Sequence, residues 1–383
     1  MDDSAFVTVL EEAGLPGAAC MIVDRDGTRY ARAFGHADAV RGTPMALDTP
    51  CQIASMTKAL ASVAALQLVE QGKLSLDAPI GDLLPDLADA QVLTGFDASG
   101  APQLRPAARP ITLRHLLTHT AGLGYFFIHP EILRYFGHVG MPEPGSLASL
   151  RMPLMFDPGD SWEYSVGTDY VGLAVEAASG MRLGDYLAAN VFSPLEMSDT
   201  GFRPELADHA ATVHRRKEGG GFDAAPMILG GGEYQSGGGG LTSTAPDYAR
   251  FLQAILRGGE LGGNRILSEE SVAELGRNQI GDLRAGYMGS AMPELAAPFD
   301  NFPDQHTGWS LAFLINPERG PNGRSPGSLA WAVSSTAITG SIRLKVWPAC
   351  SCRNWPPSAI RARWGPSVRW SGWCMDEGRT GLM

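Results

Sequence analysis

The chain has 383 residues, is 44% hydrophobic and 8% aromatic, and carries a formal net charge of −11 with an isoelectric point near 5.2. This length and apolar content suffice for a large core, in one domain or two lobes, and exclude a disordered chain. The acidic balance argues against a nucleic-acid-binding surface, and no apolar run of about 18 residues argues for a membrane span. The acidic start Met1-Asp2-Asp3-Ser4 has no signal-peptide pattern, so the expectation is a cytoplasmic protein.

In chain order, a short helix is expected over 5–15. Residues 18–23 and 28–34 flank Asp24-Arg25-Asp26-Gly27, a hairpin signal with Asp-Gly in the turn. Cys20 sits in an apolar run and Cys51 about one helical turn before Ser55, and both read as buried thiols. The stretch Gln52-Ile53-Ala54-Ser55-Met56-Thr57-Lys58 opens a helix of good formers that runs to Gln71 and stops at Gly72. Positions three apart share a helix face, so Lys58 Nζ is expected to reach Ser55 Oγ. A serine hydroxyl needs a base before it becomes a useful nucleophile, and a lysine serves if burial or a neighbouring cation lowers its pKa. The helix N-terminus adds a partial positive charge where an oxyanion would form. Ser-x-x-Lys pairs are also common on solvated helices, so the surrounding chain must decide the matter.

Ile111 to Leu123 reads as a helix capped by Thr112 and ended at Gly122, with His119 inside it. Residues 124–158 hold Tyr125, Phe126, Phe127, Tyr135 and Phe136, which are either ordinary core or an apolar wall for an ester's acyl or alcohol group. Asp157-Pro158-Gly159 turns into Tyr164-Ser165-Val166, followed by a helix that ends at Gly180. A phenol near a cation can shuttle a proton to a leaving alcohol. The glycine run 230–240 has no lysine at phosphate-loop spacing; its glycines suit close passage of backbone under a site. Ser243 or Thr244 then caps a further helix. No Gly-x-Ser-x-Gly and no His-Glu-x-x-His occurs. Residues 308–315 read as one strand, and residues 327–332 follow.

Taken together, Ser55-x-x-Lys58, Leu116-Leu117-x-His119-x-x-Gly122-Leu123, Tyr164-Ser165-Val166 and Ser236-Gly237-Gly238-Gly239-Gly240-Leu241 resemble the serine beta-lactamase and penicillin-binding-protein superfamily. Within it, they are most similar to the branch of class C beta-lactamase-like carboxylesterases. The resemblance covers about residues 5–332. It implies an α+β fold in which an antiparallel sheet flanked by helices (1–60 and 230–383) joins a mainly helical lobe (61–229). It further implies Ser55, Lys58 and Tyr164 as catalytic residues, and Tyr125, Phe126, Trp331 and the backbone of Ser334 at the substrate. His119 becomes a structural buttress. No metal or cofactor is implied, and the partner is a small-molecule ester. Where beta-lactamases carry Tyr-x-Asn this chain has Val166, which leans the reading toward esters. The rivals are a beta-lactamase or D-amino-acid peptidase, amide hydrolysis or acyl transfer, and a non-catalytic module that binds an acyl ligand.

From Val333 the composition changes. Residues 333–383 hold five of the eight tryptophans, three of the five cysteines (Cys350, Cys352, Cys374), and seven Lys/Arg against two acids. Pro348, Pro356, Pro357 and Pro366 interrupt strand alternation, and neither the strands nor the terminal helix expected of the family can be found. The position that the family fills with Gly, two after Trp331, is Val333. Our hypothesis is that this tail is a frame-shifted translation: read one base earlier with suitable codons, it restores Trp-x-Gly. Resequencing the coding DNA tests this, and a clean frame through Trp331 to the stop would sink it.

Overall fold

The computed structural model describes residues 3, 7–8, 11, 14–202, 210–217, 220–225, 232–293, 295–300, 302–320, 325–332 and 341–344, with backbone alone at 216, 332 and 341–344. Most of the helix expected over 5–15 lies outside the described residues, as do Val333 and Ser334.

The first hairpin forms as its turn chemistry dictates. β1 (Gly17–Val23) pairs antiparallel with β2 (Thr28–Asp38), from Gly17↔Gly35 to Val23↔Thr28. Asp24 Oδ1 accepts the N–H groups of Asp26 and Gly27, closing the turn. β3 (Cys51–Gln52) then leads into a single 3₁₀ turn, Ala54–Met56, and α1 (Thr57–Glu70).

α1 is apolar around nearly its whole circumference and is accordingly the central helix. Leu60, Ala61, Val63, Ala64, Ala65 and Leu68 are fully buried. Gly72, at φ +69°, ends it. α2 (Leu113–Leu117) is capped by Thr112, whose hydroxyl accepts the His115 N–H while His115 Nδ1 accepts the Thr112 N–H. It ends at Leu117, five residues short of the expected Gly122, because His119 adopts φ +58° and breaks the helical run. α3 (Pro130–Val139) buries Ile132 and Phe136. α4 (Gly167–Ser179) packs on α1 and ends at left-handed Gly180.

β4 (Thr242–Ser243) pairs with β3, so the chain following the glycine run lies beside the start of α1. α5 (Ala245–Leu256) is capped by Thr244, whose hydroxyl accepts the Asp247 N–H. The single strand expected over 308–315 is instead two short ones, β5 (Gly308–Trp309) and β6 (Leu314–Asn316), paired with each other. The chain reverses at Ser310, whose hydroxyl accepts the N–H groups of Ala312 and Phe313. β6 pairs with β7 (Ser328–Ala332), and β7 with β8 (Ser341–Leu344). β8 corrects the expectation that the tail contains no strand; Ser-Ile-Arg-Leu alternates over too short a span to stand out from the prolines that follow it. The fold is α+β, with antiparallel pairings throughout the named strands.

Candidate active site

Ser55 lies in the 3₁₀ turn at the head of α1 and is buried. The residue before it, Ala54, has φ +41°, a conformation that L side chains rarely adopt and that surrounding structure must impose. The imposition is visible: Ile53 N–H donates to Leu241 O, Met56 N–H donates to Ile53 O, and Tyr248 Oη donates to Met56 O at 3.0 Å. The Thr57 hydroxyl accepts the Leu241 N–H. The turn is thus clamped by the strand after the glycine run and by α5.

Tyr164 stands just before α4 and is 1% exposed. Its hydroxyl is 2.7 Å from Ser55 Oγ. Lys58 is 2% exposed. Its ammonium donates to Gly238 O at 2.6 Å and to Tyr125 Oη at 3.1 Å, rather than to Ser55. The expected Lys58–Ser55 contact is therefore replaced by an indirect one, in which Nζ sits 4.7 Å from the centroid of the Tyr164 ring. Helical spacing alone allowed the direct contact; the strong acceptor offered by the Gly238 carbonyl draws the flexible lysine stem elsewhere.

The surroundings are aromatic. Trp331, on β7, lies 4.7 Å from Tyr164 and 4.5 Å from Trp309, centroid to centroid. Trp309 Nε1 donates to Leu117 O, whereas the buried Nε1 of Trp331 has no partner among the described residues. His119 packs 4.9 Å from Tyr164 and 5.0 Å from Trp309. Burial, and secondarily Lys58, hold its imidazole well below the usual histidine range, and Nδ1 pairs with Ser165 Oγ at 3.0 Å. A neutral histidine bonded to Ser165 supports the ring of Tyr164 from behind and does not address Ser55.

Of the residues expected at the site, Ser55, Lys58, Tyr164, Tyr125 and Trp331 come together. Phe126 turns the other way, edge-on to Phe127 and Phe136 on the α3 side. Sequence reasoning missed Asp169, which is buried in the first turn of α4 and accepts the Gly238 N–H at 3.0 Å and the Ser236 hydroxyl at 2.5 Å. Burial raises its carboxyl, and Lys58, Ser236 and Gly238 pull it back. The available signal was a lone acid in an otherwise apolar helix start, Asp169-Tyr170-Val171-Gly172-Leu173.

A clamped serine at a helix head, touched by a tyrosine that overlies a buried lysine, on this α+β frame, defines the beta-lactamase-like class of serine-nucleophile proteins. The sequence matches the Beta-lactamase family over residues 3–343, and the chain belongs to that family. It is 42% identical over 232 residues to Acyltransferase mokF of Monascus pilosus, a match spanning 57% of this chain but only 56% of the acyltransferase. It is 30% identical over 334 residues to the lovastatin esterase of Penicillium rubens, spanning 82% of this chain and 83% of the esterase. A solved structure of a simvastatin synthase (LovD6) mutant from Aspergillus terreus superposes with a TM-score of 0.71 at 32% identity, covering 86% of this chain and 84% of the synthase. Among the described residues, no helix is long and apolar enough to cross a membrane.

Proposed function

We propose that this protein is a serine ester hydrolase that works through an acyl-enzyme on Ser55. The observation carrying the proposal is the 2.7 Å contact between Tyr164 Oη and Ser55 Oγ above a buried ammonium. Tyr164 takes the Ser55 proton as Oγ bonds to the ester carbonyl carbon, while its own phenolic proton passes to the departing alcohol as the C–O bond breaks. The Ser55 N–H, at the head of α1, is the proposed oxyanion donor, and the backbone of Ser334, outside the described residues, is its proposed companion. Trp331 supplies a wall beside Tyr164. Tyr125 joins the site through Lys58, and Phe126 backs the wall from one layer out. Small-molecule esters are the proposed substrates, and no cofactor is required for these steps.

A second reading is acyl transfer to an alcohol instead of water. The acyltransferase relative favours it, and the two reactions share the same acyl-Ser55 state. Val166 in place of a carboxamide donor weighs against lactam substrates.

The test is p-nitrophenyl butyrate turnover by the chain and by Ser55→Ala, with mass spectrometry after a phosphonate probe. We expect the rate to fall by roughly 10⁴-fold or more in Ser55→Ala and the probe to label Ser55. Adding an alcohol acceptor divides hydrolysis from transfer by its ester product. Turnover that survives Ser55→Ala would overturn the proposal.

A further inference from the structure

We infer that Asp169 is a positioning residue that keeps the Lys58 ammonium charged beneath Tyr164, acting through the Gly238 peptide; the inference deepens the acyl-enzyme reading above and rests on it. Lys58 and Asp169 are 2% and 3% exposed. An isolated buried ion of either sign is strongly disfavoured, so each needs a compensating charge. The Gly238 peptide lies between them. Its N–H donates to Asp169 Oδ1 at 3.0 Å, and its carbonyl accepts from Lys58 Nζ at 2.6 Å. The positive end of the peptide dipole thus faces the carboxylate and the negative end faces the ammonium. Only glycine permits this approach, because a Cβ at 238 would stand 2.5 Å from Asp169 Oδ2.

The other titratable groups here carry no compensating charge. Tyr125, Tyr164 and His119 face Lys58, while Tyr125, Tyr170 and Tyr234 face Asp169. Burial pushes the phenols of Tyr125, Tyr170 and Tyr234 up and the His119 imidazole down, which leaves all four neutral. Asp169 is the carboxylate in this group. Lys58 keeps its proton throughout the reaction and stabilises the negative charge that develops on Tyr164 Oη in the transition state; protons move only from Ser55 to Tyr164 and from Tyr164 to the leaving alcohol.

A carboxylate beside the site favours the protonated form of whichever group limits each limb of the pH profile. Asp169→Asn keeps an oxygen for Ser236 and the Gly238 N–H but removes the charge. Both limbs of the pH profile of kcat/KM should therefore move to lower pH by about one unit, a tenfold change at a fixed pH on either limb. Limbs that stay in place while the rate falls would assign Asp169 a merely structural role and overturn the inference; a shift to higher pH would also overturn it.

A second measurement needs no catalysis. Lys58→Met, Asp169→Asn and the double variant are compared by thermal melting. Each single variant strands one buried charge, so the double variant should melt above Lys58→Met. Losses that simply add would overturn the inference. Because this cycle reads folding, it distinguishes a failure here from a failure of the ester-hydrolase reading, which Ser55 labelling tests separately.

Discussion

Two carboxyl groups flank Tyr164, and the molecule treats them in opposite ways. Asp169, on the floor of the site, is buried, accepts two hydrogen bonds and lies one peptide away from a buried ammonium. Glu163, on the outer flank near Gly124 and Ile132, makes no ion pair among the described residues, and burial alone pushes its carboxyl up to about 7. The comparison teaches that burial does not by itself decide ionisation. On the floor, Lys58, Ser236 and Gly238 oppose the upward push that burial gives the Asp169 carboxyl, whereas the flank, lacking both donors and counter-charge, has its carboxyl raised to about 7.

The largest expected effect sharpens the floor. Tyr164→Phe keeps the ring contacts to Trp331 and His119 and removes only the hydroxyl. We expect kcat to fall by about 10²- to 10⁴-fold with the melting temperature nearly unchanged, measured on one preparation. A variant that retains its rate would break the assignment of proton transfer to this side.

Next comes the peptide that joins the floor together. Gly238→Ala drives a methyl into the Asp169 carboxylate and should cost about 1–3 kcal/mol in a urea titration. Gly137→Ala, on α3 where a Cβ meets nothing within 4 Å, should instead gain up to about 1 kcal/mol. Equal effects at the two glycines would dissolve the contrast.

The flank is tested by pH. The Glu163 carboxyl is raised from 4.5 to about 7 in the folded protein, so its contribution to stability is full below the unfolded pKa and lost as pH rises through about 7. Glu163→Gln should abolish that decline, matching the parent near pH 4 and melting higher near pH 8. A parent whose melting temperature is flat across this range would show that Glu163 is compensated after all.

The smallest effect belongs to an exposed pair. Arg105 bonds to both oxygens of Asp157, which it holds down to about 2. Its contribution is present above the ordinary carboxylate range and fades as pH falls toward about 2. Because the arginine is solvent-exposed, Asp157→Asn should lower the melting temperature only slightly near neutral pH, less still in added salt, and its melting curve should converge on the parent's as pH falls toward about 2.

Much of the fold was legible because its signals are local. Asp24 and Gly27 announced the first hairpin, Gly72 and Gly180 ended their helices, and Thr112 and Thr244 capped theirs, since turns and caps depend on a few adjacent residues. The early end of α2 escaped notice because the left-handed conformation of His119 is imposed by its packing among Tyr164, Trp162 and Trp309, which are distant in the chain. Division of 308–316 into two strands turned on one hydroxyl, that of Ser310, whose bonding no hydrophobic periodicity encodes.

The same division applies to the site. The sequence by itself determined the reactive inventory: a serine and lysine three apart at a helix head, a tyrosine before the next long helix, and a glycine run able to pass beneath them. Those follow from residue type and helical period, which are properties of short segments. Only the tertiary structure decided which groups meet. It brought Tyr164 to Ser55, gave Lys58 to the Gly238 carbonyl, set Asp169 behind that peptide and turned Phe126 away. These partnerships join segments 109 and 180 residues apart in two of the cases and are selected by the need to give buried polar groups partners. That condition belongs to the packed molecule, and no stretch of chain carries it alone.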